Sequence, residues 1–464
     1  MKNRIYKVFI ILVLLVLFFI KPNVRSTINP ELLTIYSIIF IGSLVLHFQN
    51  YEKNNKNSNW SRLDVFFLLG FTIVHFQWPI MYGISNIIPE VPNLIWVDEL
   101  FVNYGTWLSS VGGVSWILGF SIIRSKSLTR NKSYVLNYNK LLNLTIFLFF
   151  LFLATAGKDF LTGGVYKGSG GSAAGEGISA YIQILFSISI ILLTGLIIID
   201  NKNNYENNLF KWFFSLKKRY LFLYFTYVFL FLMIGDRGGP IFLVITTFTL
   251  IGTIIKPLKL PFLLMSIFIG GIFLSIISLG RTQKSGIGIL SAGAEKFELS
   301  SGYDNTLELA NSVRTLYMAV SHVPEKRNFF YGKLWVGNLI APVPFAQSVY
   351  LDLANTERHE IGSAGYITYL TFGPYSSSGE GTSLIADIYL NFAVFGVVFF
   401  MFLLGLLFKK SDNSLKSFDS LKWIIIAIIL ASSSIYFGRG SLFHIIRPII
   451  WSIILMIFFV KVDK

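Results

Sequence analysis

The chain has 464 residues, of which 54% are hydrophobic and only 14% charged, with a formal net charge of +15 and no cysteine. The missing cysteine excludes disulfides, thiolate metal sites and cysteine nucleophiles. The basic excess is taken up by short loops, which leaves no soluble basic domain to hold a nucleic acid. Apolar runs of roughly 15 to 25 residues recur from end to end, the length that crosses about 30 Å of hydrocarbon. The chain therefore reads as all-α, a polytopic bundle of transmembrane helices.

Twelve spans are expected, over 6–20, 31–48, 65–87, 101–123, 141–156, 181–199, 220–234, 240–255, 262–279, 383–408, 423–436 and 445–460. Lys2, Arg4 and Lys7 stand at the start of the first one, as in a signal peptide. Lys21-Pro22-Asn23-Val24-Arg25 follows without a small-x-small cleavage pattern, so an uncleaved anchor is expected. Positive residues then fall in alternate loops: Lys53, Lys56 and Arg62; Arg124, Lys126, Arg130 and Lys132; Lys217, Lys218 and Arg219; Lys409 and Lys410. With Lys7 counted to this side and Arg447 to the other, these loops and both tails hold 24 Lys+Arg against 7 Asp+Glu, the opposite loops 15 against 17. Positive residues near span ends are retained in the cytoplasm, so both termini are expected there, as an even number of spans requires.

Spans one to nine make up residues 1–279 and spans ten to twelve residues 383–464, separated by a large extracytoplasmic loop, 280–382, expected to carry part of the active site. Within it Leu309, Val313, Leu316, Val320 and Val323 form an apolar stripe that predicts a helix over 304–322, ended by Pro324. The two prolines of Ala341-Pro342-Val343-Pro344 predict turn or extended backbone. The Gly-, Ser- and Tyr-rich stretch 363–381 reads as a re-entrant or surface loop. Gly168-Ser169-Gly170-Gly171-Ser172, an earlier outer loop, lacks the Gly-Lys-Ser/Thr of a phosphate-binding loop.

Single arginines recur on the outer side, against the charge rule that sets the topology. They stand in Gly235-Asp236-Arg237-Gly238-Gly239-Pro240, Gly280-Arg281-Thr282, Arg358-His359-Glu360 and Gly438-Arg439-Gly440, with Arg314 inside the helix of the long loop. A guanidinium fork binds phosphate in bidentate fashion, and flanking glycines let backbone N–H groups approach an anion. Converging, these arginines would suit the pyrophosphate of a lipid-linked sugar; singly, each would snorkel to lipid phosphate or pair with an acid, as Asp236 with Arg237. Glycosyl transfer also needs a base for the acceptor hydroxyl. His322, His359, His444, Glu360 and Asp387 are the outer candidates. His359, between Arg358 and Glu360, ranks first. Asp387, a turn into span ten, ranks second, because an acid there is costly unless functional or paired with Arg439 or Arg447.

Gly235-Asp236-Arg237-Gly238, Ala341-Pro342-Val343-Pro344 and Gly381–Phe392 with Val394-Phe395-Gly396-Val397 resemble the bacterial oligosaccharide repeat-unit polymerases, the O-antigen polymerases of the Wzy type. Ala393 stands where that motif commonly has glycine. The resemblance implies an inner-membrane enzyme with a GT-C-like fold. Such an enzyme joins undecaprenyl-pyrophosphate-linked oligosaccharide repeat units by an inverting, metal-independent transfer on the periplasmic or extracellular face, without a cofactor. It carries pyrophosphate binding onto Arg237, Arg281, Arg314, Arg358 and Arg439, and admits membrane lipid and a chain-length regulator protein as partners. A ligase that moves finished glycan to a lipid acceptor shares this pattern; a lipid-linked oligosaccharide flippase would instead show internal repeats and short loops.

Overall fold

The computed structural model describes residues 2–54, 59–126, 135–157, 161, 177–281, 283–284, 286, 288–297, 304–374, 376 and 379–463. Lys56, Arg130, Lys132, Thr282 and the Gly168–Ser172 loop lie outside the described residues. In hydrocarbon every backbone N–H and C=O must be satisfied within its own segment, so long apolar runs become helices. A helix stands at each of the predicted apolar segments: α1 (Lys2–Phe19), α2 (Pro30–Asn54), α3 (Leu63–Ser85), α4 (Val102–Ile122), α5 (Asn139–Thr155), α6 (Ile178–Asp200), α7 (Lys218–Ile234), α8 (Gly238–Leu250), α9 (Leu260–Gly280), α10 (Leu384–Ser417), α11 (Leu421–Ser433) and α12 (Ile446–Phe459). Among the described residues seven segments are long and apolar enough to cross a membrane: α2, α3, α6, α8 with its continuation to Ile255, α9, α10, and α11 with its continuation to Arg439. α5 and α12 are apolar but shorter, and α1, α4 and α7 are in neither group, so twelve crossings remain an expectation of the sequence.

α4 and α10 pack backbone against backbone. A Cβ at Gly119 would stand 2.0 Å from the carbonyl oxygen of Phe402, and one at Gly405 2.2 Å from that of Trp116, so only glycine allows this approach. Aromatic rings fill the neighbouring core, with Phe40 stacked on Phe76 at 4.2 Å and Phe67 on Trp116 at 4.5 Å. α10 also runs nine residues past the predicted end of span ten, to Ser417. It is kinked at Phe392 (φ −139, ψ 21) and Ala393 (φ 55, ψ −156).

The lysine-bearing loops share one end of the bundle. Lys7 donates to the Ile122 carbonyl, Lys409 to the Ser125 hydroxyl, and Lys126 pairs with Asp419. The strands β1 (Val135–Asn137) and β2 (Lys461–Asp463) pair antiparallel at the same end and tie down the C-terminal tail. Buried charges here are matched: Arg62 donates two 2.8 Å hydrogen bonds to Asp64, His47 lies 3.0 Å from that carboxylate, and Lys416 meets Asp412 at 2.6 Å.

The loop between α9 and α10 folds against the opposite end. The predicted helix over 304–322 forms as Asp304–Ala310 and Arg314–His322, joined by a 3-10 turn at Asn311–Val313. Val313, Leu316, Val320 and Val323 of its apolar stripe are fully buried. The segment 341–345 is turn, as its prolines require. The stretch from residue 363 departs from expectation: Ser363–Phe372 is a helix rather than a loop, because Tyr366 and Ile367 bury against the bundle despite the surrounding glycines.

Candidate functional site

Three of the five predicted arginines come together. α7 ends at Gly235, whose φ of 92 a glycine adopts without strain, and the turn it makes delivers Asp236 and Arg237 to the start of α8. Arg281 caps the C-terminal end of α9, and Arg439 closes the 3-10 turn Ser434–Arg439 that continues α11. Arg237 and Arg281 meet Glu308 of the helix Asp304–Ala310, and the charge of Arg439 reaches it without contact. Arg237 Nη2 donates to both carboxylate oxygens at 2.6 and 2.7 Å, and Arg281 Nη2 lies 3.8 Å away. Ser278 donates to the same carboxylate at 3.3 Å. Burial works to raise the Glu308 pKa, but the Arg237 hydrogen bond and the charges of Arg237, Arg281 and Arg439 outweigh it and leave the carboxyl below its ordinary value. Tyr436 sits in the combined field of Arg237, Arg439, Glu308 and Asp236.

Asp236 does not pair with Arg237. Its Oδ1 accepts the Gly238 N–H, the first of α8, at 2.9 Å. Burial raises its pKa, opposed by that N–H, by Arg281 and Arg237, and by the Gly239 N–H.

Arg314 and Arg358 stand apart from the cluster. Arg314 Nε and Nη2 grip the two oxygens of Glu380, the second bond 2.6 Å long, and the Glu380 side chain is only 2% exposed. Its fork is thereby used to hold the chain before α10 onto the helix Arg314–His322. Arg358 lines a separate cavity together with Arg447, a residue the sequence offered only as a partner for Asp387. The cavity and the cluster are neighbours through the chain, since Ser441 of the cavity wall is two residues from Arg439.

The candidate bases differ in access. His359 stacks face to face on Tyr369 at 4.0 Å and its Nδ1 lies 3.1 Å from Glu357, with a side chain 17% exposed. The carboxylate beside it is therefore Glu357 and not the Glu360 expected from the sequence. Glu360 turns to Lys333 at 2.8 Å, Thr356 at 2.6 Å and Arg327 at 3.1 Å, which together hold it down at about 2. His322 donates Nδ1–H to the Met318 carbonyl and His444 its Nδ1–H to that of Ser441; burial lowers the pKa of each.

Asp387 is completely buried. It pairs with neither Arg439 nor Arg447. Its Oδ2 accepts hydrogen bonds from Trp335 Nε1 at 2.9 Å and the Leu442 N–H at 2.8 Å, fastening both the long loop and the segment before α12 onto α10. The Ser363 hydroxyl lies beside this carboxylate and 3.2 Å from that of Ser441 on the cavity wall.

Glu308, Glu380 and the place of Arg447 on the cavity wall were not legible in the sequence. The acids carried no motif, being single residues in a loop, and Arg447 was hidden by its place at the start of an apolar span.

The sequence model of the O-antigen polysaccharide polymerase Wzy family matches residues 6–462. The chain belongs to this family. Membership makes it an integral membrane transferase of O-antigen polysaccharide biosynthesis, acting on lipid-linked oligosaccharide repeat units. No curated protein and no solved structure matches the chain.

Proposed function

We propose that this Wzy-family chain polymerises oligosaccharide repeat units carried on undecaprenyl pyrophosphate, with the donor pyrophosphate bound by Arg237, Arg281 and Arg439. One observation supports the reading: Arg237 and Arg281, from separate helix ends, meet a single carboxylate, Glu308, within the field of Arg439, and a pyrophosphate is the stronger anion for the same place.

In this reaction the acceptor hydroxyl oxygen bonds to the anomeric carbon from the face opposite the leaving group. The bond from that carbon to the pyrophosphate oxygen breaks, its electron pair departs on the pyrophosphate, and the hydroxyl proton passes to a base. A single displacement of this kind inverts the anomeric centre. Fixed guanidinium groups stabilise the charge as it develops on the leaving group, which is the role they fill without a metal. His359 is the first choice as base, because its ring is partly open and oriented by Glu357. Asp387 is the second, through the Ser363 and Ser441 hydroxyls.

The lysine-rich end is assigned to the cytoplasm and the arginine cluster to the outer face of the inner membrane, with twelve crossings in a GT-C-like bundle. The charge asymmetry of the loops supports this orientation.

The test is the glycan itself. Arg281→Ala and Arg439→Ala are each expected to abolish long-chain polymer in cells while the protein still inserts into the membrane at wild-type level. Wild-type chain-length ladders from both variants would overturn the proposal.

A further inference from the structure

The cavity beside the arginine cluster has a chemistry of its own. Its volume is about 760 Å³, within the size of an ordinary ligand site. Two of its lining residues are Arg358 and Arg447, and no acid is among the described residues that line it. Arg447 spends Nε on the Ala341 carbonyl at 2.8 Å, and its guanidinium lies 5.8 Å from the Tyr181 ring and 6.0 Å from that of Trp451. Among the described residues neither arginine meets a carboxylate, in contrast to Arg237 and Arg314.

Backbone donors add to the two cations. The helices Ile178–Asp200, Ala346–Ala354 and Ser363–Phe372 all begin at the cavity wall, and none of the three has a side chain capping its first N–H groups. Uncapped N–H groups and two guanidiniums around one space favour an anion. The rest of the wall offers Asn338, Gln347 and Ser348 with the Tyr181 ring, the mixture of amide, hydroxyl and aromatic face that suits sugar hydroxyls and the apolar side of a pyranose.

We infer that this cavity is a second substrate subsite, one that binds an oxyanion carried by a saccharide, with Arg358 and Arg447 as its ligands. The inference rests on the proposed function, because it assigns part of the same substrate. The oxyanion has two sources in such a substrate: the pyrophosphate of a second lipid-linked unit, or the carboxylate of an acidic sugar within the repeat unit.

Gly362 supplies a clean test. It lines the cavity, its φ of −154 suits any residue, and a Cβ there would meet nothing within 4 Å. Gly362→Leu should therefore fill the cavity and leave the fold intact. The full chain, purified in lipid nanodiscs, is titrated calorimetrically with farnesyl pyrophosphate and, separately, with a glucuronate-containing tetrasaccharide. With the arginine cluster silenced by Arg281→Ala/Arg439→Ala, the chain is still expected to bind at least one probe, and Gly362→Leu or Arg358→Ala/Arg447→Ala added to that background to bind it about tenfold or more weakly. Loss confined to farnesyl pyrophosphate names the lipid pyrophosphate as the source; loss confined to the tetrasaccharide names an acidic sugar. Undiminished affinity for both probes in both added variants, or no binding of either probe by the Arg281→Ala/Arg439→Ala background, overturns the inference. Because the readout is binding, this failure is distinct from that of the proposed function, which is read from polymer in the Arg281 and Arg439 variants.

Discussion

Arg237 Nη2 donates to both oxygens of Glu308, at 2.6 and 2.7 Å, across 71 residues of sequence. The pair joins the start of α8 to the first helix of the long loop. It also places a carboxylate where the proposed substrate would bring its own negative charge.

Removing the competing charge should favour the substrate. Glu308→Gln is expected to bind inorganic pyrophosphate about tenfold more tightly than wild type, since Arg237 and Arg281 no longer serve an internal carboxylate. Calorimetric titration of the purified chain measures this, and unchanged or weaker affinity would show that Glu308 arranges the arginines and does not compete for them.

Arg314 is expected to behave differently from the clustered arginines. Arg314→Ala leaves the buried Glu380 carboxylate without its partner, a loss of about 3–5 kcal/mol for a buried pair. The variant should melt well below wild type in detergent, whereas Arg439→Ala, at an exposed position, should melt with it. Equal melting of the two would mean that the Glu380 pair contributes little to the fold.

Asp387 holds two separate segments through one oxygen. Asp387→Ala strands the Trp335 and Leu442 N–H groups in the interior, at about 1–3 kcal/mol each, and should lower the yield of folded protein. Asp387→Asn keeps an acceptor for them and should fold. Full polymer from the Asn variant would remove Asp387 as a base and leave it a fastening residue.

His359 is tested by a loss of rate without a loss of fold. Its ring stacks on Tyr369 and is only 17% exposed, so His359→Gln, which keeps a polar group but loses the stack worth about 1 kcal/mol, should melt a few degrees below wild type and still fold. Polymer formation should fall about 100-fold, the contribution of a positioned base. His47 is a poor control here because its ring is bonded to the buried Asp64. A rate close to wild type in the His359 variant would move the base elsewhere.

Ala393 sits at φ 55 and ψ −156, a conformation that a side chain adopts only under strain and glycine adopts freely. Ala393→Gly should raise stability by about 1 kcal/mol, and a β-branched Ala393→Val should lower it by more. Thermal melting of the three proteins decides the matter. The kink lets α10 bend between the segment fixed by Asp387 and the run packed on α4.

Membrane character, the helices, the grouping of lysine loops and the family itself were legible in the sequence. Each depends on local composition: apolar runs must form helices in hydrocarbon, charges near their ends mark sides, and short motifs survive as neighbours along the chain. The helix over 304–322 was legible for the same reason, from its apolar stripe. Which groups meet was not. The sequence could name Arg237, Arg281, Arg314, Arg358 and Arg439, but only tertiary structure brought Arg237 and Arg281 onto Glu308, with Arg439 in the same field, spent Arg314 on Glu380 and set Arg358 in a cavity that Arg447 also lines. It likewise turned Glu360 away from His359 and toward Lys333. Pairing of this kind depends on contacts between residues far apart in the chain, where a difference of a few ångströms separates a free cation from a neutralised one, and no period or composition of the sequence records that distance.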